Sequence, residues 1–356
     1  MVNPYIALYR LLLPRRYQKY LQRAGGDIDM CHETLLHGTY YEEYKLYDFA
    51  HKSDAERRAY LTDAVRNKIC RKINAASEQA VVMDKYRTAQ YFSDFYRRSF
   101  MLFDGDTSVS EFTDFASALG EVVAKPVDEC AGRGVQLLTA NSSEGWKSHY
   151  EVLKTSKRRY IVEERIIQAE EMSRWSDSVN TIRMNTLQYK GQVCGFTAFL
   201  RTGRLGSFVD NGAQGGLFAS IDTETGAIIT DAYDEQGCRY TSHPDSGMMY
   251  QSVQIPRWSE LVEMTTTMAQ RLSKVAYIGW DLALTNNGWV LVEANKGEFI
   301  AQQLTLGRGL RQEFLEAYQS LGGFYKFNVF VKPRAEGKLA FTMPRRENDC
   351  CEETNV

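Results

Sequence analysis

Up to about residue 80, apolar residues recur at helical spacing among basic and acidic ones, which predicts a helical region. Within it Ser53-Asp54-Ala55-Glu56 reads as a capping box, and Pro14 breaks or starts a helix. From Ala80 the texture changes. Short β-rich runs are expected at 120–125, 134–138, 159–164, 182–189, 193–201, 278–285 and 289–295. Helical segments are expected between them at 88–98, 143–155 and 259–274. This alternation predicts an α+β fold with antiparallel hairpins, not a doubly wound sheet. No internal repeat is visible. The polar stretch from about Lys332, with Arg345-Arg346-Glu347 and Cys350-Cys351, reads as a loosely ordered tail.

The chain has 356 residues, 44% apolar, enough for a large core divided into two or three subdomains. Lys plus Arg total 43 against 45 Asp plus Glu, so the strong positive field of a general nucleic-acid binder is missing. Seven scattered cysteines with no CxxC pair support neither a disulfide framework nor a zinc site, and reduced thiols point to the cytoplasm. No apolar run is long enough to span a membrane, and no signal peptide is evident. Residues 5–22 mix Leu and Tyr with Arg10, Arg15, Arg16 and Lys19. They could touch the inner face of a membrane peripherally, or pack on their own domain with the basic side chains in water.

Three constellations could carry chemistry. In the first, Lys125 ends a strand and is followed by the small-residue loop Cys130-Ala131-Gly132-Arg133-Gly134. Such a loop lets backbone N–H groups approach phosphate oxygens while the ammonium neutralises their charge. It is not a Walker loop, because the lysine precedes the glycines, and an ordinary hairpin turn is the competing reading. In the second, a three-residue turn at 286–288, with Gly288 left-handed, pairs Thr285 with Trp289 and sets Asp281 opposite Glu293. Asn295 then shares their face, and three hard oxygen donors suit Mg²⁺. A two-residue turn would put Asp281 and Glu293 on opposite faces, and a polar hairpin face is the plainer alternative. The third runs from Arg159 through Val162-Glu163-Glu164 to Ile166, Glu170 and Glu171: either a solvated strand edge or a hinge for adenine and ribose. Arg183 and Arg201 lie in apolar strands, where each needs an anion: a phosphate or a salt-bridge partner.

The order Lys85, Lys125, glycine loop, Val162-Glu163-Glu164, Asp281, Glu293-Ala294-Asn295 resembles the ATP-grasp superfamily. Ser178-Val179-Asn180-Thr181-Ile182-Arg183, Val209-Asp210-Asn211 with Gly215-Gly216, and 278–285 resemble its sugar-transfer-associated branch, linked to bacterial polysaccharide biosynthesis. The likeness covers about residues 80–315. It implies two α+β subdomains clamping ATP, about 81–165 and 166–330, after a helical region at 1–80 and before a tail at 331–356. It further implies ATP phosphates on Lys85, Lys125 and the loop Gly132, Arg133, Gly134. Glu163, Glu164 and the backbone near Ile166 would hold adenine, and Glu170 or Glu171 the ribose. Mg²⁺ would sit on Asp281, Glu293 and Asn295, with Arg183 and Arg201 steadying the transferred phosphoryl group.

On the substrate side the resemblance implies the loop with Asp210, Asn211, Gly215 and Gly216, and it leaves a place for Lys296 as a further cation. His243, before Pro244, is either an acceptor-side base or a surface-loop histidine. Many amide-forming relatives carry an arginine where this chain has Gly279. The expected activity is an ADP-forming carboxylate–amine or carboxylate–hydroxyl ligase, through an acyl phosphate, on a small-molecule or saccharide substrate. A phosphotransferase that stops at a phosphorylated acceptor, and a non-catalytic nucleotide-binding scaffold, are the alternatives.

Overall fold

A computed structural model describes residues 27–129, 132–206 and 215–326. The amphipathic stretch 5–22, the residues Cys130, Ala131, Asp210 and Asn211, and the tail 331–356 lie outside the described residues. Short helices come first: α1 (Ile28–His37), α2 (Tyr41–Leu46), α3 (Asp54–Ala59), α4 (Asp63–Ile73), α5 (Ala76–Val82), α6 (Lys85–Tyr91) and α7 (Ser93–Tyr96). The capping box starts α3 as expected, Ser53 N–H donating to Glu56 Oε2 at 2.7 Å.

A small antiparallel sheet of order β1-β4-β2-β3 follows, from β1 (Phe100–Phe103), β2 (Glu121–Pro126), β3 (Gln136–Thr139) and β4 (Tyr160–Glu164). Its helices α8 (Val109–Leu119) and α9 (Ser143–Thr155) cover one face, where Phe112, Trp146, Tyr150 and Leu153 pack on Val122, Ala124, Tyr160 and Val162. Strand alternation therefore turns Lys125 and Glu163 to the other face.

That face meets a larger antiparallel sheet of order β11-β10-β5-β6-β7-β8-β9. Its strands are β5 (Thr181–Tyr189), β6 (Gln192–Thr202), β7 (Leu217–Ile221), β8 (Ala232–Tyr233), β9 (Arg239–Tyr240), β10 (Tyr277–Thr285) and β11 (Gly288–Asn295). A short α10 (Glu170–Ser173) links the sheets; α11 (Trp258–Arg271), α12 (Ile300–Leu306) and α13 (Arg311–Ser320) complete the chain. Helix α11 buries Leu261, Met264 and Met268 against Ile182, Met184, Leu200, Trp280 and Leu282. Arg183, Asp281 and Arg201 therefore emerge on the opposite face, beside α12, which caps Phe199 and Phe218 through Ala301. Among the described residues no helix is long and apolar enough to cross a membrane.

The last hairpin corrects the expected turn. Thr285 pairs with Gly288, so the turn has two residues, and Leu282 pairs with Leu291. The register then shifts: a β-bulge skips Val292, and Asp281 pairs with Glu293 after all. The two-residue turn, expected to separate these carboxylates, is compensated four residues later. Gly288 has φ +113°, as a turn glycine should.

The helical N-terminal region does not stand apart. Leu61, Val65, Ile69 and Cys70 share a core with Tyr277, Phe299 and Phe314, and Asn74 exchanges hydrogen bonds with the Tyr277 backbone, both 3.0 Å. Buried Gln303 uses its whole amide: Oε1 accepts from Leu61 N–H at 2.7 Å and Leu310 N–H at 3.2 Å. Its Nε2 donates to Leu61 O and Tyr47 Oη, each at 3.1 Å. Gln303→Leu orphans two buried N–H groups, each costing about 1–3 kcal/mol. A lowered melting temperature with unchanged secondary structure is expected; an unchanged melting temperature would show the joint to be dispensable.

Candidate functional site between the two sheets

A narrow cleft of about 80 Å³ separates the sheets, lined by Lys85, Lys125, Glu129, Gly132, Arg133, Thr181, Arg201, Asp281, Val292 and Glu293. Lys85 opens α6; its N–H donates to Val127 O, its ammonium to Glu129 O, and its Nζ stands 3.6 Å from Glu293 Oε2. It thereby ties the loop after β2 to the large sheet. Gly132 and Gly134 have φ +64° and +73°, and a Cβ on Gly134 would come within 2.9 Å of Pro126 Cγ. The loop can lie this close to β2 only with glycine there.

Asp281 is buried and clamped by two arginines. Arg183 binds it in a two-pronged pair, with Nη2 at 2.6 Å from Oδ2, and Arg201 Nη1 stands 3.2 Å from the same oxygen. Burial raises the Asp281 pKa, but Arg183 and Arg201 outweigh it and hold the carboxyl below its ordinary value. In a cleft this buried, cations of that kind can equally meet a phosphoryl group.

Glu163, expected at the adenine, stands among cations. It is buried; Lys125 Nζ lies 2.6 Å from Oε1, Arg98 Nη2 3.2 Å from Oε2, and the Tyr96 hydroxyl donates to Oε2. Burial raises its pKa, yet Arg98 and Lys125 prevail and lower it. Arg98, which the sequence reading missed, also donates to Leu291 O at 2.7 Å and Val292 O at 3.4 Å. One guanidinium thus binds the carboxylate that holds Lys125 and the carbonyls of the bulge that aims Glu293. No motif marks it, because its partners lie 65 and 193 residues away.

Several expected residues are not brought to the cleft. Glu164 accepts from Ser99 N–H at 3.1 Å, Ile166 is half-buried beyond the end of β4, and Glu170 pairs with Arg174 at 3.6 Å in solvent. Glu171 is exposed, and Lys296 lies outside the cleft with its carbonyl facing the Cys70 thiol. Gly215 and Gly216 lead into β7. His243 is no surface-loop residue: it is fully buried, Nε2 donating to Gly203 O at 2.9 Å and Nδ1 accepting from two backbone N–H groups. Burial lowers its pKa, and with both nitrogens engaged it braces a loop rather than serving as a base.

The three expected metal ligands lie together on the last hairpin. Asn295 shares the face of Glu293, but its Oδ1 accepts from Gly297 N–H at 2.8 Å. Among the described residues no group of three His, Cys, Asp or Glu side chains could hold a metal. Asp281 and Glu293 form a two-carboxylate pair and Asn295 Oδ1 keeps a second lone pair, a donor set that suits Mg²⁺ completed by phosphate oxygens and water. Gly279 is enclosed: a Cβ would meet Asn295 Oδ1 at 2.5 Å, Asn185 Oδ1 at 2.8 Å and Gly297 Cα at 2.9 Å. The arginine of amide-forming relatives has no room here. Gly279→Ala should cost about 1–3 kcal/mol by overpacking, read as a lower melting temperature; unchanged stability would contradict this packing.

The family model described as sugar-transfer associated ATP-grasp matches residues 64–319. No curated protein matches the sequence. Among solved structures, the chain is similar to D-alanyl-alanine synthetase A from Vibrio cholerae O1 biovar eltor at 11% identity and a TM-score of 0.45, covering 70% of this chain and 67% of that one. It is also similar to the ATP-grasp ligase PsnB with its minimal precursor, at 12% identity, TM-score 0.43, and 70% and 63% coverage. A third is the D-cycloserine synthetase DcsG, at 11% identity, TM-score 0.43, and 78% and 82% coverage. The match over residues 64–319 settles the family, and the chain belongs to the sugar-transfer associated ATP-grasp enzymes.

Proposed function

We propose that the chain is an ADP-forming carboxylate–amine or carboxylate–hydroxyl ligase that works through an acyl phosphate, joining an amino acid or uronic acid group during bacterial surface polysaccharide assembly. One observation carries this reading: Lys85, Lys125 and Arg201 line one cleft with the paired carboxylates Asp281 and Glu293, and Arg183 pairs with Asp281 beside it. The sugar context rests on the family's description.

In this reading Lys85, Lys125 and the backbone of Gly132 to Gly134 meet the ATP phosphates. Mg²⁺ held by Asp281 and Glu293 would neutralise part of the polyphosphate charge. The narrow cleft must first widen, since ligand pockets usually run to about 300–1,000 Å³; the Lys85–Glu293 contact across it is the first to give way. A substrate carboxylate then attacks the γ-phosphorus, ADP leaves, and Arg183 and Arg201 hold the acyl phosphate. An amine or hydroxyl attacks the acyl carbon and orthophosphate departs. The protein contributes position, charge and exclusion of water.

The closed surroundings of Gly279 favour keeping a second reading, phosphotransfer that ends on a hydroxyl. The test is a product assay with Mg·ATP and a panel of uronic acids and amino acids, with and without hydroxylamine. A ligase releases ADP and orthophosphate and yields a hydroxamate. A stable phosphorylated product without orthophosphate supports the kinase, and AMP contradicts both. Asp281→Asn with Glu293→Gln should lower turnover by at least about 100-fold, the scale of losing transition-state charge stabilisation; unchanged turnover would place the chemistry away from these carboxylates, and a wild-type protein that turns over no substrate yet keeps its biological activity in this variant would be a non-catalytic scaffold.

A further inference from the structure

Beyond the arginine clamp, the loops beside the large sheet carry two carboxyl groups that each have a buried oxygen without a partner. Glu235, just after β8, is only 5% exposed, and its Oε2 is buried without any hydrogen-bond partner. Glu298, in the loop before α12, spends Oε2 on the Ala301 N–H at 3.1 Å, while its Oε1 is buried and unpartnered. Buried carboxyl oxygens are normally paired, because leaving one unmade costs about 1–3 kcal/mol or more. Both arginines of the clamp act on them: Arg201 from β6, with Asp234 from the same loop and Glu298 from the α12 side, acts on Glu235, and Arg183 from β5, with Arg66 from α4, acts on Glu298.

We propose that Glu235 and Glu298 form the acceptor subsite, that the acceptor is a primary amine, and that Glu235 is the base that takes its proton. The inference rests on the ligase reading and narrows it from amine or hydroxyl to amine. Two acidic groups beside the arginines would repel an anionic acceptor and attract an ammonium ion. The Glu235 carboxylate takes one proton from the bound ammonium ion and so frees the nitrogen lone pair; as that nitrogen bonds to the acyl carbon, the acyl–oxygen bond to phosphate breaks, and orthophosphate leaves with that electron pair and carries off the second proton. Burial and the orphaned Oε2 mark the group, and its ionisation suits the task. Burial raises the Glu235 pKa to about 7, Arg201 restrains the rise, and Asp234 and Glu298 add to it. The base is the ionised form, so amine coupling should rise with pH through about 7.

The experiment compares wild type, Glu235→Gln and Glu235→Asp with Mg·ATP and whichever uronic or amino acid supports hydroxamate formation. Hydroxylamine, a strong nucleophile largely unprotonated at neutral pH, is one acceptor; ethanolamine, glycine and lysine are the others. Glu235→Gln should lower amide formation by about 100-fold or more, the scale of general-base catalysis, and hydroxamate formation by less than about tenfold. It should also flatten the rise with pH, and Glu235→Asp should restore part of both. Equal loss with both acceptor types, no loss, or an unaltered pH profile would overturn the proposal. So would a wild-type enzyme that makes hydroxamate but couples none of the amines. A wild-type enzyme that makes no hydroxamate from any carboxylate defeats the ligase reading itself, a distinguishable failure. Melting temperatures of the variants separate unfolding from the chemical effect.

Discussion

The site depends on one skipped residue in an edge strand. With a two-residue turn and regular pairing, Asp281 would face Val292, and Glu293 would point to the opposite side of the sheet. The bulge at Val292 restores the pairing of Asp281 with Glu293. A bulge leaves backbone groups without ladder partners, and Arg98 donates to the carbonyls of Leu291 and Val292. The same guanidinium stands against Glu163, which holds Lys125. The Glu293 carboxylate on one sheet and the Lys125 ammonium on the other, the groups proposed to meet metal and phosphate, are thus placed through a single side chain.

Around that link the electrostatics follow from burial. Asp281 and Glu163 remain ionised in the interior because two cations stand against each. Three of those four cations, Arg183, Arg201 and Lys125, are the groups that a polyphosphate or acyl phosphate would engage. Glu235 and Glu298 lack such full compensation and retain raised pKa values under burial. The large sheet therefore grades from cation-rich beside Asp281 to proton-accepting beside β8. That gradient is what an activated acyl donor and an amine acceptor would need.

Much of this was legible in the chain. The β-rich runs at 120–125, 159–164, 182–189 and 278–285 located the strands, because strand composition is a local property, and the turn argument set Asp281, Glu293 and Asn295 on one face. The pairing of Asp281 with Glu293 was reached through the wrong turn: a three-residue loop and a two-residue loop with a bulge give the same register at that point. Arg98, Glu235 and Glu298 were missed because their roles arise from contacts across long sequence separations. The burial of His243 and the cationic partners of Glu163 were out of reach for a related reason: composition marks a residue as titratable but not how many of its lone pairs and protons are already taken. Asn295 has the right face, yet its oxygen goes to Gly297 N–H, a local loop contact invisible in the pattern.

The most direct measurement of the central claim is a crystal structure of the protein with Mg²⁺ and a non-hydrolysable ATP analogue. The account predicts the metal between the Asp281 and Glu293 carboxylates, Lys85 and Lys125 on the phosphates, and Asn295 still bonded to the Gly297 N–H. A nucleotide bound away from this cleft, or a metal that bypasses Asp281 and Glu293, would contradict it.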